Sequence, residues 1–118
     1  MYSTYLRFFL IFSCLISLGF GGAASGQTTG VDLARTSNCL ACHQIDQKRV
    51  GPSFTLIAQR FVNQEGAAEY LANAIRQGGR GRWGAVPMPA QPQVNPANAR
   101  LIAAWILSLA DKSLPDTK

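Results

Sequence analysis

Residue types that bind metals or carry out acid–base catalysis are scarce in this sequence. It contains one histidine, His43, and three cysteines, Cys14, Cys39 and Cys42. A structural zinc site needs four Cys or His ligands, and Cys14 falls in a segment that we expect to be removed. The three remaining candidates leave such a site one ligand short. The six carboxylates are scattered singly along the chain, so no catalytic acid–base pair is indicated.

Strand-like alternation and long apolar runs are also missing. No segment alternates apolar and polar residues over the length of a strand, which excludes the βαβ setting of a thioredoxin-like redox pair. The main apolar runs, at 8–20 and 97–110, span 13 and 14 residues, whereas a helix that crosses a bilayer needs about 20. No repeat and no clustered basic helix occurs, so nucleic acid is not an expected partner. We predict an all-α domain with long loops.

The first 26 residues have the features of a secretory signal peptide. Arg7 supplies positive charge, the apolar run 8–20 follows, and small residues then offer two cleavage points, after Ala24 and after Gly26. We expect residues 1–26 to be cleaved and residues 27–118 to form one periplasmic domain without stable membrane insertion. An uncleaved amino-terminal anchor is the alternative.

The mature part is small and basic. Cleavage after Ala24 leaves 94 residues, and a chain of that length has little core of its own. Ten Lys and Arg side chains against six Asp and Glu give it a net charge of +4. This excess predicts acidic docking partners and electrostatically assisted encounter, with attraction to a membrane surface as the alternative.

The stretch Cys39-Leu40-Ala41-Cys42-His43 contains most of the residues with cofactor-binding chemistry. Two thiols three positions apart, with a histidine directly after the second, are typical of covalent haem attachment. On one helical turn each sulfur can form a thioether to a haem vinyl group, and the imidazole can bind the iron. A disulfide between the two cysteines is the chemical alternative, but it gives His43 no role. We predict one covalently bound haem c.

Met88 is the only methionine left after the signal peptide is removed. Pro87 and Pro89 on either side hold its backbone extended. A thioether sulfur is a soft ligand that suits haem iron, and a His/Met pair raises the reduction potential. We therefore predict His43 and Met88 as the axial ligands, with core filling by Met88 as the alternative.

Two glycine-containing loops are candidates to support the haem. In Val50-Gly51-Pro52, a stiff backbone with room for close approach can aim a carbonyl at the second ring nitrogen of His43, although an ordinary turn fits as well. Residues 78–84 contain four glycines, which exclude a helix. There Trp83 can donate its indole N–H to a haem propionate, and a mobile surface loop is the alternative.

Capping residues and apolar spacing predict four helical segments. They run from Val31 to Asn38, from Ser53 to Phe61, from a cap at Asn63 to Arg76, and from a cap at Asn95 to Ala110. Residues 27–30 read as a flexible lead-in. The predicted apolar contacts come mainly from three of the segments: Phe54, Leu56, Ile57, Phe61, Ala67, Leu71, Ala74, Ile75, Leu101, Ile102, Trp105, Ile106 and Leu109.

Four sequence blocks together resemble a small class I cytochrome c of the bacterial cytochrome c-551 type. They are the attachment motif, Val50-Gly51-Pro52, the stretch 83–89, and Trp105-Ile106-Leu107-Ser108-Leu109, and the resemblance covers residues 31–109. It implies four to five helices around one haem, with the first and last crossing. It also assigns roles to six residues: thioethers at Cys39 and Cys42, axial ligands at His43 and Met88, a carbonyl acceptor at Pro52 and a propionate donor at Trp83.

The resemblance implies a soluble periplasmic electron carrier and not an enzyme. Its iron would cycle between Fe(III) and Fe(II), taking electrons from a quinol-oxidising complex or other respiratory donor and passing them to a terminal oxidase or nitrogen-oxide reductase. A monomer is expected, with redox partners docking at the exposed haem edge near Lys48, Arg49, Arg80 and Arg82. The alternatives are a ligand-binding sensor or peroxidase-like enzyme with a displaceable Met88, and a bound subunit of one dehydrogenase or oxidase.

One departure from the family concerns the surroundings of Met88. Relatives often have Pro-Asn after the Met-Pro pair, with the asparagine amide near the ligand sulfur. This sequence has Ala90 and Gln91 there, which leaves open what lies next to the sulfur.

Overall fold

The structure is a computed structural model that describes residues 28–111. The predicted signal peptide and both of its cleavage points lie outside the described residues. The described part contains four α-helices and one 3-10 turn. These are α1 (Gly30–Thr36), the 3-10 turn (Cys39–Ala41), α2 (Phe54–Phe61), α3 (Ala67–Gln77) and α4 (Pro96–Ser108). Within 28–111 the only β-type pairing is one antiparallel bridge between Gly79 and Met88, so the all-α prediction is confirmed.

The first helix begins earlier and ends earlier than predicted. Thr29 caps it by accepting from the backbone N–H of Asp32, whose carboxylate accepts in return from the N–H of Thr29. The expectation of a flexible lead-in is therefore wrong for Thr29 and Gly30. At the other end, Asn38 has φ 63°, a left-handed conformation that stops the helix before the cysteines.

The third helix does not start at the predicted cap. Asn63 makes no capping bond; Gly66, with φ 72°, is the residue before the helix. The chain folds into a tight turn first, because the N–H of Gln64 donates to the carbonyl of Phe61 and that of Ala67 to the carbonyl of Gln64. Only a residue that tolerates positive φ completes this turn at low cost.

The last helix starts as predicted and contacts the other three α-helices. Asn95 caps it by accepting from the N–H of Asn98, and Pro96 takes the first position. Its contact with α1 is close: a Cβ on Gly30 would lie against Cβ of Trp105 and 2.5 Å from the carbonyl oxygen of Leu101. The packing of α1 against α4 therefore depends on a glycine that, from the sequence alone, belongs to the flexible lead-in.

The core follows the helical period, but two residues of the predicted list are exposed and two, Ala74 and Trp105, are only half-buried. Phe54, Ile57 and Phe61 are buried on one face of α2, whereas Leu56 lies off that stripe and is 47% exposed. Leu101 of α4 is likewise 49% exposed, while its neighbour Ile102 is 1% exposed. None of the helices described combines the length and apolar character needed to cross a bilayer.

Candidate functional site

A cavity of about 660 Å³ is bounded by the 3-10 turn, α2, α3, α4 and the loops at 50–52 and 79–91. This volume lies in the range of cofactor-binding sites. Much of its wall is apolar and comes from the three longer helices. All six residues predicted from the sequence to form the site line it: Cys39, Cys42, His43, Pro52, Trp83 and Met88.

The two cysteines stand on the 3-10 turn rather than on a regular helical turn. The N–H of Cys42 and that of His43 both donate to the carbonyl of Cys39, at 3.2 and 3.0 Å. Both thiols are free; Cys39 is half-buried and Cys42 is exposed. Burial raises the pKa of the Cys39 thiol. The motif therefore presents two unpaired sulfurs to the same cavity, and the disulfide alternative is not what the structure shows.

The imidazole of His43 is oriented by a backbone carbonyl. Its Nδ1 lies 2.7 Å from the carbonyl oxygen of Pro52, and the residue is 8% exposed. Since a carbonyl oxygen only accepts, Nδ1 must carry the proton. In the neutral imidazole Nε2 then keeps its lone pair, which is the form that ligates a metal.

Two further contacts fix the plane of this ring. A Cβ on Gly51 would lie 2.5 Å from Cε1 and 2.8 Å from Nδ1 of His43, so only glycine lets the loop pass this close. Phe54 stacks on the ring, with centroids 5.2 Å apart and planes at 22°, and meets the edge of Trp105 at 5.0 Å. The ring of His43 is thereby linked through Phe54 to α4.

Met88 is held by its main chain. Its N–H donates to the carbonyl of Gly79 at 2.8 Å, and its carbonyl accepts from the N–H of Gly79 at 3.0 Å. Gly78 ends α3 with φ 76°, and a Cβ there would lie 2.5 Å from the carbonyl oxygen of Met88 and 2.8 Å from the nitrogen of Ala90. The sequence alone places this glycine pair in a loop that supports the haem and does not predict its pairing with Met88.

Gln91 ties the same segment to α3. Its backbone N–H donates to the carbonyl of Ile75 at 3.0 Å, and its side-chain amide donates to the carbonyl of Pro89 at 3.4 Å. Its Oε1 accepts from Nε2 of Gln93 at 2.7 Å. The residue that departs from the family pattern therefore bonds to the backbone that presents Met88.

Trp83 is half-buried beside an arginine that the sequence analysis did not single out. The guanidinium of Arg60 lies 4.5 Å from the Trp83 ring centroid, and its Nη1 donates to the carbonyl of Arg82 at 3.0 Å. The two stacked residues are far apart in sequence and carry no local pattern that could have indicated the contact.

The chemistry of these residues fits a haem c better than a metal ion alone. Between Thr28 and Asp111 no three His, Cys, Asp or Glu side chains gather as a metal-binding cluster. What the cavity offers is two free thiols, an imidazole with its Nε2 left for a metal, and one thioether within a largely apolar wall. Those are the groups that attach and ligate a haem.

Comparison with known proteins agrees with this donor set. The family described as cytochrome c matches residues 27–110. The chain belongs to the cytochrome c family. Its similarity to cytochrome c-552 of Nitrosomonas europaea is 46% identity over 78 residues, which cover 66% of this chain and 76% of the relative. Cytochrome c-551 of Azotobacter vinelandii is 45% identical over 80 residues, covering 68% and 96%.

Solved cytochrome structures share the fold. The crystal structure of the Nitrosomonas europaea cytochrome c-552 superposes with a TM-score of 0.66 over 67% of this chain and 98% of that one, at 46% identity. A class 1 cytochrome of Sideroxydans lithotrophicus gives a TM-score of 0.59 over 68% and 91%, at 25% identity. The class I cytochrome c fold predicted from the sequence is confirmed. As a cytochrome c, the chain is a haem c electron-transfer protein and not an enzyme.

The close approach at Gly78 makes a prediction for stability. In the haem-loaded protein, Gly78→Ala should lower the free energy of unfolding by about 2–3 kcal/mol, because the new methyl group meets the Met88 backbone at an unfavourable φ. Gly79→Ala is the matched control, since its Cβ meets nothing within 4 Å and its φ is not positive. It should cost less than about 1 kcal/mol. Denaturant unfolding measures both, and equal losses would contradict the steric argument.

Proposed function

We propose that this protein is a periplasmic one-electron carrier whose haem iron is bound by His43 and Met88. One observation carries the proposal: the single imidazole of the chain and the only methionine after Met1 line the same cavity, with Nε2 of the imidazole left for a metal. When bound, haem c supplies a reversible exchange of one electron between Fe(III) and Fe(II).

The supports around the two ligands suit this task. Pro52, Gly51 and Phe54 hold the His43 ring, and the Gly79 bridge holds the backbone of Met88. Ligands held in this way would keep their positions in both oxidation states of a bound haem, so electron transfer would need little rearrangement. If His43 and Met88 both bind the iron, oxygen and peroxide would find no open site on it.

Replacing the thioether tests the ligand assignment. Met88→Ala should abolish the far-red sulfur-to-iron absorption band of the oxidised protein and lower the reduction potential, because a soft ligand is lost. Carbon monoxide should bind the reduced variant readily. The wild-type protein should show the band and no spectral response to carbon monoxide at neutral pH. A fast carbon monoxide complex of the wild type would instead support the ligand-binding sensor or peroxidase-like alternative.

We also propose that residues 1–26 are removed on export and that residues 27–118 act as a monomer in the periplasm. The charged start, the short apolar run and the small residues before position 27 support cleavage. The intact mass of protein taken from periplasmic extract should equal residues 25–118 or 27–118 plus one haem. A mass that retains residues 1–24 would support the uncleaved amino-terminal anchor.

Light scattering of the same sample tests the oligomeric state, and we expect the mass of a monomer.

The mouth of the cavity supplies the proposed docking surface. Val50 and Val86 line the cavity and are 52% and 64% exposed, and basic residues stand near them in sequence. An apolar patch with basic residues around it fits partners whose docking surfaces are rich in carboxylates. We expect the donor to be a respiratory quinol-oxidising complex and the acceptor to be a terminal oxidase or nitrogen-oxide reductase. The basic residues are Lys48, Arg49, Arg80 and Arg82.

Salt dependence tests this surface. The bimolecular rate with an acidic redox partner should fall about tenfold between low and moderate salt, because screening removes electrostatic steering. The double variant Lys48→Gln with Arg49→Gln should flatten this dependence. Arg35→Gln, which removes a charge already paired with Asp32 on α1, is the control and should not. Equal flattening in both would place the docking surface elsewhere.

A further inference from the structure

Arg60 and Arg82 both line the cavity, and each is held by contacts to aromatic rings. Nη1 of Arg60 donates to the carbonyl of Arg82, and the Arg60 guanidinium stacks on Trp83. The Arg82 guanidinium lies 4.6 Å from the ring centroid of Tyr70 and 5.4 Å from that of Phe61. Phe61 and Tyr70 also stack on each other, with ring centroids 5.2 Å apart, so the two rings that contact Arg82 support one another.

The described part of the chain supplies no anion for this pair. Its two ion pairs join Arg35 to Asp32 and Arg100 to Glu69, and neither involves Arg60 or Arg82. Aromatic faces attract the guanidinium groups, but a guanidinium has five N–H donors and only one of those on Arg60 is bonded within the chain. Both guanidinium groups are therefore without a carboxylate partner among the described residues. The arrangement is that of a site for an anionic group from outside the chain.

The position of the pair identifies the anion. Arg60, Arg82 and Trp83 line the same cavity as the cysteines and axial ligands, and much of the remaining wall is apolar. A haem has a flat apolar body with two propionate carboxylates, and planar guanidinium groups bind carboxylates through paired hydrogen bonds. The apolar helix side chains of the cavity can contact the porphyrin ring, and Arg60 and Arg82 can bind the propionate carboxylates.

We propose that Arg60 and Arg82 bind the propionates of haem c, which fixes the orientation of the cofactor and raises its electron affinity. The inference rests on the proposed function, since it concerns the same haem. The stacking contacts set where the charges stand: Trp83 positions Arg60, and Tyr70 positions Arg82. Positive charge beside the haem favours the reduced iron, which carries one positive charge fewer.

Charge removal with a matched control tests the proposal. Arg60→Gln and Arg82→Gln should each lower the equilibrium constant for reduction by a reference mediator about three- to tenfold, where tenfold is 59 mV for a one-electron couple. Arg80→Gln is the control: Arg80 is in the same loop and lines the same cavity, but it makes no hydrogen bond, ion pair or ring contact with the described residues. It should change the constant less than about twofold.

Two further readouts separate cofactor binding from general charge effects. The carboxylate bands of the haem in infrared difference spectra should shift in Arg60→Gln and Arg82→Gln and stay in place in Arg80→Gln. Arg60→Lys keeps the positive charge but loses the planar guanidinium that can form paired hydrogen bonds. Compared with Arg60→Gln, its equilibrium constant should therefore return most of the way to the wild-type value, whereas its infrared carboxylate bands should remain shifted. Both arginines are exposed, so these variants should fold.

Each result decides between the inference and its rivals. If Arg60→Gln and Arg82→Gln match the control in potential and infrared bands but slow electron exchange with an acidic partner at low salt, the pair acts only in docking and the inference is overturned. If they match the control in every measurement, it is overturned as well. Loss of the far-red band in the wild-type protein would sink the proposed function, whereas an intact band with unchanged potentials would sink only this inference.

Discussion

The hydrogen bond between Nδ1 of His43 and the carbonyl oxygen of Pro52 determines how the chain can use its single imidazole. At 2.7 Å it sets the tautomer and leaves Nε2 for a metal. The bond requires Gly51 to pass against the ring, and Phe54 holds the ring from its face. Phe54 in turn meets Trp105 on α4. The orientation of one ligand is thus connected by direct contacts to the helix that organises the fold.

The candidate axial ligands are supported in different ways, and the difference follows from their side chains. An imidazole has a plane and a second nitrogen, so packing and a hydrogen bond can orient it. A thioether is flexible and has no strong donor, so the protein fixes the backbone that presents it. Gly78 and Gly79 do this through close approach and a bridge. A small domain with a large cavity between its helices gains the rest of its core from the group that fills that cavity.

What the sequence predicted correctly is what depends on neighbouring residues. Asn95 and Pro96 mark a helix start because cap and first turn are adjacent, and the two thiols of the attachment motif reach one cavity because they share one turn. Two errors, the starts of α1 and α3, come from local capping and turn bonds that the residue pattern did not reveal. The other missed features come from contacts between distant segments. Gly30 looks like a linker until α4 is packed on it, and the stacking of Arg60 on Trp83 joins residues from α2 and a loop. Single-sequence patterns do not contain that information.

The distribution of charge connects the fold to electron transfer. Away from the cavity, Arg100 is bonded to Glu69, and this hydrogen bond lowers the pKa of that carboxyl. At the cavity, Arg60, Arg80 and Arg82 have no carboxylate partner among the described residues. The carboxylate of Glu69, although next in sequence to the cavity residue Tyr70 on α3, is paired with Arg100 instead. Carboxylates of the protein itself at this wall would compete with an anionic cofactor group or partner for the same cations. Leaving these arginines unpaired therefore keeps positive charge available at the wall of the cavity.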